Sequence, residues 1–386
     1  RRRHARRREA RPPRGRRRVT DSPAKPTMNV MQRTSHLFAA CAALVAWSAF
    51  TPAADAQPGR LPIPIRGQPR EPTPAEREFS AGDALLQRGD LAGARTRFEA
   101  ARRLDPRDPR PVFYLGEVAR RQEQWADAER LFRDAITLRP TMAEAHAQLG
   151  AVLREQDRAH DAVAALEAAL RIQPSLGEAH HTLALCLEDQ GDTTRATQEY
   201  RTATRILSSD PFPPLNLGLM LAGQPLAPGA PARAEALQSL REAVRRGGTN
   251  VSVLASAGPA FRRLGEARTA AETLERARAQ GSPTASLLGE LAQALWASGD
   301  RTVAEQRIGE AIALSPREAS LRYLRGLMLA EAHQNARAVE EFRSVVQLDP
   351  EGPLAGRARA RVQELSGNPR SGAQSPAVGA TPTRRR

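Results

Sequence analysis

Histidine and cysteine are scarce in this 386-residue chain, with seven of the one and two of the other, so their spacing is the first place to look for chemistry. His146 and His180 stand 34 residues apart, and His181 follows directly. Two imidazoles on adjacent structural units can share a metal ion when a carboxylate or thiolate completes the set. No carboxylate or cysteine shares their column, so rings packed in place of a larger aromatic are the expected role. Cys186 lies within an apolar stretch and reads as a small core residue. There is no phosphate-cradling glycine loop, HExxH, GxSxG or CxxC pattern. A non-enzymatic protein without cofactor or metal is therefore expected, and Asn250-Val251-Ser252 is read as a coincidental glycosylation pattern.

The elements that would carry these residues are short and repeated. In Val112–Pro140, apolar or small residues at Val112, Leu115, Gly116 and Ala119 mark one helix face. After a polar turn at Glu123-Gln124, a second face appears at Ala128, Phe132, Ala135 and Leu138, and Pro140 stops it. Shifting by 34 residues finds the pattern again. Ala94, Ala128, Ala162 and Ala196, then after a longer gap Ala236, Ala270, Ala304 and Ala338, form one column. Four residues on stand Phe98, Phe132, Leu166, Tyr200, Leu240, Leu274, Ile308 and Phe342. In the first helix of each unit the small column is Gly82, Gly116, Gly150, Ala184, Gly218, Gly258, Ala292 and Gly326. Small residues let two helices approach, and the large one fills the space between them.

These columns resemble the tetratricopeptide repeat family, with Leu115-Gly116, Ala128, Phe132 and Pro140 matching its pattern, and Leu149-Gly150, Ala162, Leu166 and Pro174 matching again. The resemblance covers residues 75–352, with units starting near 75, 109, 143, 177, 211, 251, 285 and 319. It implies an all-α, right-handed superhelical solenoid of about eight helix-turn-helix units. A capping helix is expected over 353–365, since the last unit would otherwise leave an open apolar face. Six extra residues fall between the two helices of the fifth unit, Gly258-Pro259 interrupts the first helix of the sixth, and Ser208, Gly248 and Ser282 replace the terminal proline of units four to six. A kink at Pro259, and irregular stacking or a hinge in the middle units, are the expectations.

In this family the first helices line a concave groove that takes a segment of a partner protein. The residues expected there are Phe79, Phe113, Ala147, His181, Leu215, Ala255, Gly289 and Tyr323, and one turn later Asp83, Glu117, Ala151, Leu185, Leu219, Pro259, Gln293 and Leu327. Arg120, Arg121, Arg154, Arg262 and Arg263 would flank the groove and pair with acidic side chains. The lysine and asparagine with which some relatives clamp a C-terminal carboxylate do not occur at these places. The partner-binding set is thus Phe79, Phe113, Glu117, Arg120, Arg121, Arg154, His181, Leu215 and Tyr323.

The ends of the chain read differently. Residues 1–27 are arginine-dense and precede the first methionine, Met28; translation upstream of the true start, or a disordered basic arm, accounts for them. From Met28, a short positive start, the apolar run Leu37–Phe50 and Ala54-Asp55-Ala56 make the three parts of a signal peptide over 28–56, with cleavage expected after Ala56. Residues 57–74 form a proline-rich linker, and 366–386 a disordered tail. The formal charge of +15 is an end effect, because residues 57–365 carry 41 basic and 40 acidic side chains. A neutral array is not built to track phosphates, so nucleic acid is not an expected partner. The expectation is a periplasmic or secreted protein-interaction scaffold without a membrane span. An accessory subunit of an envelope assembly machine (pilus, secretion or polysaccharide export) is the alternative, and an enzyme with an unrecognised site a distant one.

Overall fold

The computed structural model describes residues 70–366 except Leu226, and these form one compact unit. The segments expected as signal peptide (28–56), most of the expected linker and nearly all of the expected tail lie outside the described residues. Seventeen helices and no strand occur among the described residues. Eight pairs come first: α1 (Pro74–Gln87) with α2 (Leu91–Leu104), α3 (Pro109–Arg121) with α4 (Trp125–Leu138), α5 (Ala143–Glu155) with α6 (Ala159–Ile172), and α7 (Gly177–Asp189) with α8 (Thr193–Ile206). Then follow α9 (Phe212–Ala222) with α10 (Pro231–Gly247), α11 (Val251–Arg263) with α12 (Ala267–Ala279), α13 (Ala285–Ser298) with α14 (Arg301–Leu314), and α15 (Ala319–Glu331) with α16 (Asn335–Leu348). Helix α17 (Ala355–Ser366) packs on α16. Each helix packs on its neighbours in sequence, which makes an all-α repeat solenoid.

The small and large columns do what their sizes dictate. Phe98, Phe132, Tyr200 and Phe342 are fully buried, as are Ala94, Ala128, Ala196 and Ala338. A methyl group added to Gly116 would sit 2.7 Å from the Phe132 ring, and one on Gly326 would sit 2.7 Å from Phe342. The crossing therefore has room for hydrogen only. Helices α2, α4, α6, α14 and α16 each end two residues before Pro106, Pro140, Pro174, Pro316 and Pro350, which cannot continue the ladder. The first end is sealed by Thr73, whose hydroxyl accepts from the Glu76 amide while the Glu76 carboxylate accepts from the Thr73 amide, a reciprocal cap. The turn inside each pair needs a left-handed residue. Glycine supplies it at Gly89, Gly191, Gly265 and Gly299, but Glu123, Asp157 and His333 adopt it at φ of 58–60°.

The middle units are tied together by arginine. Where Ser208 stands in place of proline, Arg246 reaches back from α10 and donates through one nitrogen to the carbonyls of Thr204, Leu207 and Asp210 at 3.1, 2.9 and 3.0 Å. Where Gly248 replaces proline, Arg276 donates to its carbonyl at 2.8 Å. These guanidinium groups add charged donors to carbonyls at the helix ends and in the connections after them. One hydrophobic cluster runs unbroken from Leu86 through the middle units to Met328. The extra residues sit in the connection between α9 and α10, and α11 continues through Pro259 to Arg263.

Candidate functional site

The first helices of adjacent units touch each other at α5–α7 and in the run α9–α11–α13–α15, so their outward side chains line one face over units three and four and over units five to eight. In units two to four the first-helix face is ionic. Glu117 on α3 is 7% exposed and accepts from Arg120 at 2.9 Å. Arg154 on α5 donates to Asp189 on α7 at 2.9 Å and lies 3.7 Å from Glu155. Glu178 at the start of α7 lies within electrostatic reach of Glu117 and Arg120 on α3. Burial pushes the Glu178 carboxyl up from its ordinary value, and Glu117 adds to the shift against the pull of Arg120. Burial likewise raises the Glu155 carboxyl, opposed by Arg154 and Arg120.

From α9 to α13 the face is sparsely charged, its ion pair being Arg262 on α11 with Glu290 on α13 at 3.0 Å. Leu219, Ala255, Pro259 and Gln293 are half-buried there, as are Leu324 and Leu327 on α15, with Trp296 almost fully covered. The Trp296 ring nitrogen donates to Glu331 at 2.9 Å, and the Arg301 guanidinium lies 5.1 Å from its ring. The Asn216 amide donates to His181 Nε2 at 2.9 Å, which places any proton of the neutral ring on Nδ1.

The expected groove residues divide by depth. Phe79 is half-buried, wedged against Phe98 at 5.6 Å and Tyr114 at 5.2 Å, with Arg110 over its ring at 5.0 Å. Phe113 rests on Phe132 at 5.5 Å and Tyr323 on Phe342 at 5.4 Å. These rings join the inter-helix packing and leave only an edge to the face. Leu215 is wholly buried. Arg120 and Arg154 are held by acidic neighbours, and Arg262 by Glu290 at 3.0 Å. Arg121 is exposed, its guanidinium 3.4 Å from the Leu86 carbonyl. Glu155, Glu178, Asp189 and Trp296 belong to the face and were not singled out from sequence. Glu155 and Asp189 lie one residue after the Arg120–Arg154 column, which is the signal that reveals them.

The histidine column is structural in its contacts. His146 and His180 each place Nε2 against the carbonyl of the proline six residues earlier, at 3.0 and 2.9 Å. Cys186 is buried, and burial pushes its thiol up to about 12, so it stays a neutral core side chain. No group of three His, Cys, Asp or Glu side chains suited to a metal ion occurs among the described residues. No helix among them is long and apolar enough to cross a membrane.

Comparison with known proteins agrees with this architecture. The C-terminal part of a TPR repeat-containing protein from Cytophaga hutchinsonii is 13% identical, with 64% of this chain and 98% of that one covered at a TM-score of 0.51. The pilF protein of Pseudomonas aeruginosa is 18% identical, with 57% and 97% covered at a TM-score of 0.49. A tetratricopeptide repeat protein from Parabacteroides merdae is 15% identical, with 66% and 98% covered at 0.45. No curated protein matches the chain. The tetratricopeptide repeat model matches residues 79–143, 147–211 and 290–353, just over half of the sequence. With the alanine, large-residue and glycine columns buried as described, the chain belongs to the tetratricopeptide repeat family.

Proposed function

We propose that this protein is a non-catalytic interaction scaffold that holds a segment of a partner protein along the groove lined by its first helices. The observation that carries the reading is the two-part face, ionic over α3–α7 and mainly uncharged over α9–α13 apart from the Arg262–Glu290 pair. The uncharged part supplies apolar contact area, which provides most of the affinity in such complexes. The ionic part is already internally paired, so it sets orientation and register more than affinity. Glu178 supports this division. Its charge is opposed both by burial and by Glu117, an arrangement that a cationic side chain of a partner would relieve.

The test is photo-crosslinking from single unnatural residues in the cell of origin. Probes replacing Ala151, Ala255 and Gln293 on the first helices should trap a common protein, whereas probes at Arg133 and Arg343 on the second helices should not. Equal trapping from both sets removes the groove from the account. We further propose export to the periplasm or beyond, on the strength of the Met28–Ala56 sequence. A mature N-terminus at Gln57 is the expected result of N-terminal sequencing.

A further inference from the structure

We infer that units one to three hold an arginine or lysine of the bound segment against Tyr114, between Asp83 and Glu144, an assignment that rests on the groove reading above and names the side chain those units take. The chain concentrates aromatic rings at this end. Phe79 on α1, Phe98 on α2, Phe113 and Tyr114 on α3 and Phe132 on α4 form a chain of rings with centroids 5.2–5.6 Å apart. Tyr114 is the middle ring. It meets Phe79 and Phe113 edge to face, at 5.2 and 5.4 Å, and stays half-buried. Ser80, Gln148, Thr182 and Asn216 occupy the same place in units one and three to five, so helix packing at this position does not require an aromatic residue.

The charge around this ring is unbalanced. Asp83 on α1, Glu117 on α3 and Glu144 at the start of α5 all act on the Tyr114 hydroxyl, opposed by Arg110. Arg110 already has a partner in Asp108 at 2.7 Å, and Glu117 is held by Arg120 at 2.9 Å. Among the described residues neither Asp83 nor Glu144 belongs to an ion pair. Burial, and then the three carboxylates, push the Tyr114 hydroxyl up from its ordinary value. It is therefore neutral at pH 7, and its oxygen can accept from a cationic donor.

Two carboxylates without countercharges beside an aromatic wall select one kind of occupant. A long basic side chain lays its methylenes along the ring edges of Phe79 and Phe113 and brings its charged head to Asp83 and Glu144, with the Tyr114 oxygen accepting a further hydrogen bond. An acidic segment is repelled there, and a wholly apolar one covers both charges without pairing them. The Arg110 guanidinium, 5.0 Å from the centre of the Phe79 ring, is the intramolecular counterpart of such a contact.

The chain has three tyrosines, so fluorine NMR of the full chain labelled with 3-fluorotyrosine gives one signal each for Tyr114, Tyr200 and Tyr323, assigned by single Tyr→Phe variants. Tyr200 is fully buried, and Tyr323 stands on the expected groove face of the last unit. The probe is the peptide acetyl-Leu-Ala-Arg-Ala-Leu-amide, compared with the same peptide carrying citrulline, an uncharged isostere, in place of arginine. The arginine peptide should shift the Tyr114 signal saturably, and the citrulline peptide should bind at least about tenfold more weakly there. Asp83→Asn with Glu144→Gln should weaken the arginine peptide at least about fivefold, whereas the charge-matched Glu99→Gln with Asp127→Asn on the second helices should change it less than about twofold. Equal response to both peptides, or unchanged affinity in the Asp83→Asn, Glu144→Gln variant, overturns the assignment. If Tyr323 answers the peptides and Tyr114 does not, the assignment falls and the groove reading stands. If the Tyr114 signal moves with protein concentration and not with peptide, a second copy fills the site and the assignment falls as well. A shift at no tyrosine also overturns it, without touching the groove reading, which the crosslinking decides.

Discussion

His180 Nδ1 lies 2.5 Å from the Glu199 carboxylate while its Nε2 lies 2.9 Å from the Pro174 carbonyl. A carbonyl and a carboxylate are both acceptors, so the ring must donate from both nitrogens, which only the imidazolium can do. The Glu199 bond raises the His180 pKa, burial works against it, and the Pro174 carbonyl adds to the rise. A histidine whose folded pKa is raised contributes stability that is complete below the unfolded value of about 6.5 and is lost as pH climbs through the folded value. Melting temperature should therefore fall across the range just above pH 6.5 in the wild type. His180→Gln should flatten that dependence, as measured by thermal unfolding at a series of pH values.

Arg246 fastens α10 to the end of α8 through three carbonyls, with its side chain 9% exposed. Arg246→Ala should cost about 2–4 kcal/mol, since it strips charged donors from helix-end carbonyls in a covered site. Arg246→Lys should recover only part of that, because an ammonium group cannot reproduce the planar fork. Urea unfolding of the two variants gives the comparison.

Much of the fold was legible because its information is local and repeated. The Ala128 and Phe132 columns recur at a fixed period, and their sizes alone require a close helix crossing. The middle units read as irregular because the absence of prolines is visible in sequence, while the compensation is not. Arg246 meets carbonyls 36 to 42 residues earlier, and no spacing rule marks it. The candidate face was legible as a set of positions but not as chemistry. Phe79, Phe113 and Tyr323 were identified from their register, yet their depth depends on Phe98, Phe132 and Phe342 beneath them. The charges of Arg120 and Arg154 are visible, but their pairing with Glu117 and Asp189 follows from the stacking.

Ala128 stands fully buried at the crossing of α3 and α4. Ala128→Leu should destabilise the protein by roughly 1–3 kcal/mol, because the added methylenes have no space. Ala126→Leu, on the exposed side of the same helix, should change little and serves as the control. Chemical denaturation of both variants distinguishes overpacking from a general effect on helix propensity.

Glu178 carries a charge that burial and Glu117 both oppose. Its folded pKa is raised, so its charge lowers stability increasingly as pH rises through that value. Glu178→Gln should raise the melting temperature at neutral pH and lose that advantage in acid, near and below the ordinary carboxyl range. If the proposed groove receives a cation there, the same variant should also weaken partner binding, so that stability and affinity move in opposite directions.

The central claim is that partner capture occurs on the first-helix face. The direct measurement is the affinity of a crosslinked partner for purified wild type and for two charge-matched double variants, Leu219→Glu with Gln293→Glu on that face, and Arg133→Gln with Arg343→Gln on the second helices. Each is checked first for unchanged helicity and melting temperature. The account predicts at least about tenfold weaker binding for the first pair, the size expected for placing charge in an apolar contact, and less than about threefold change for the second. Loss of binding only in the second pair would contradict it.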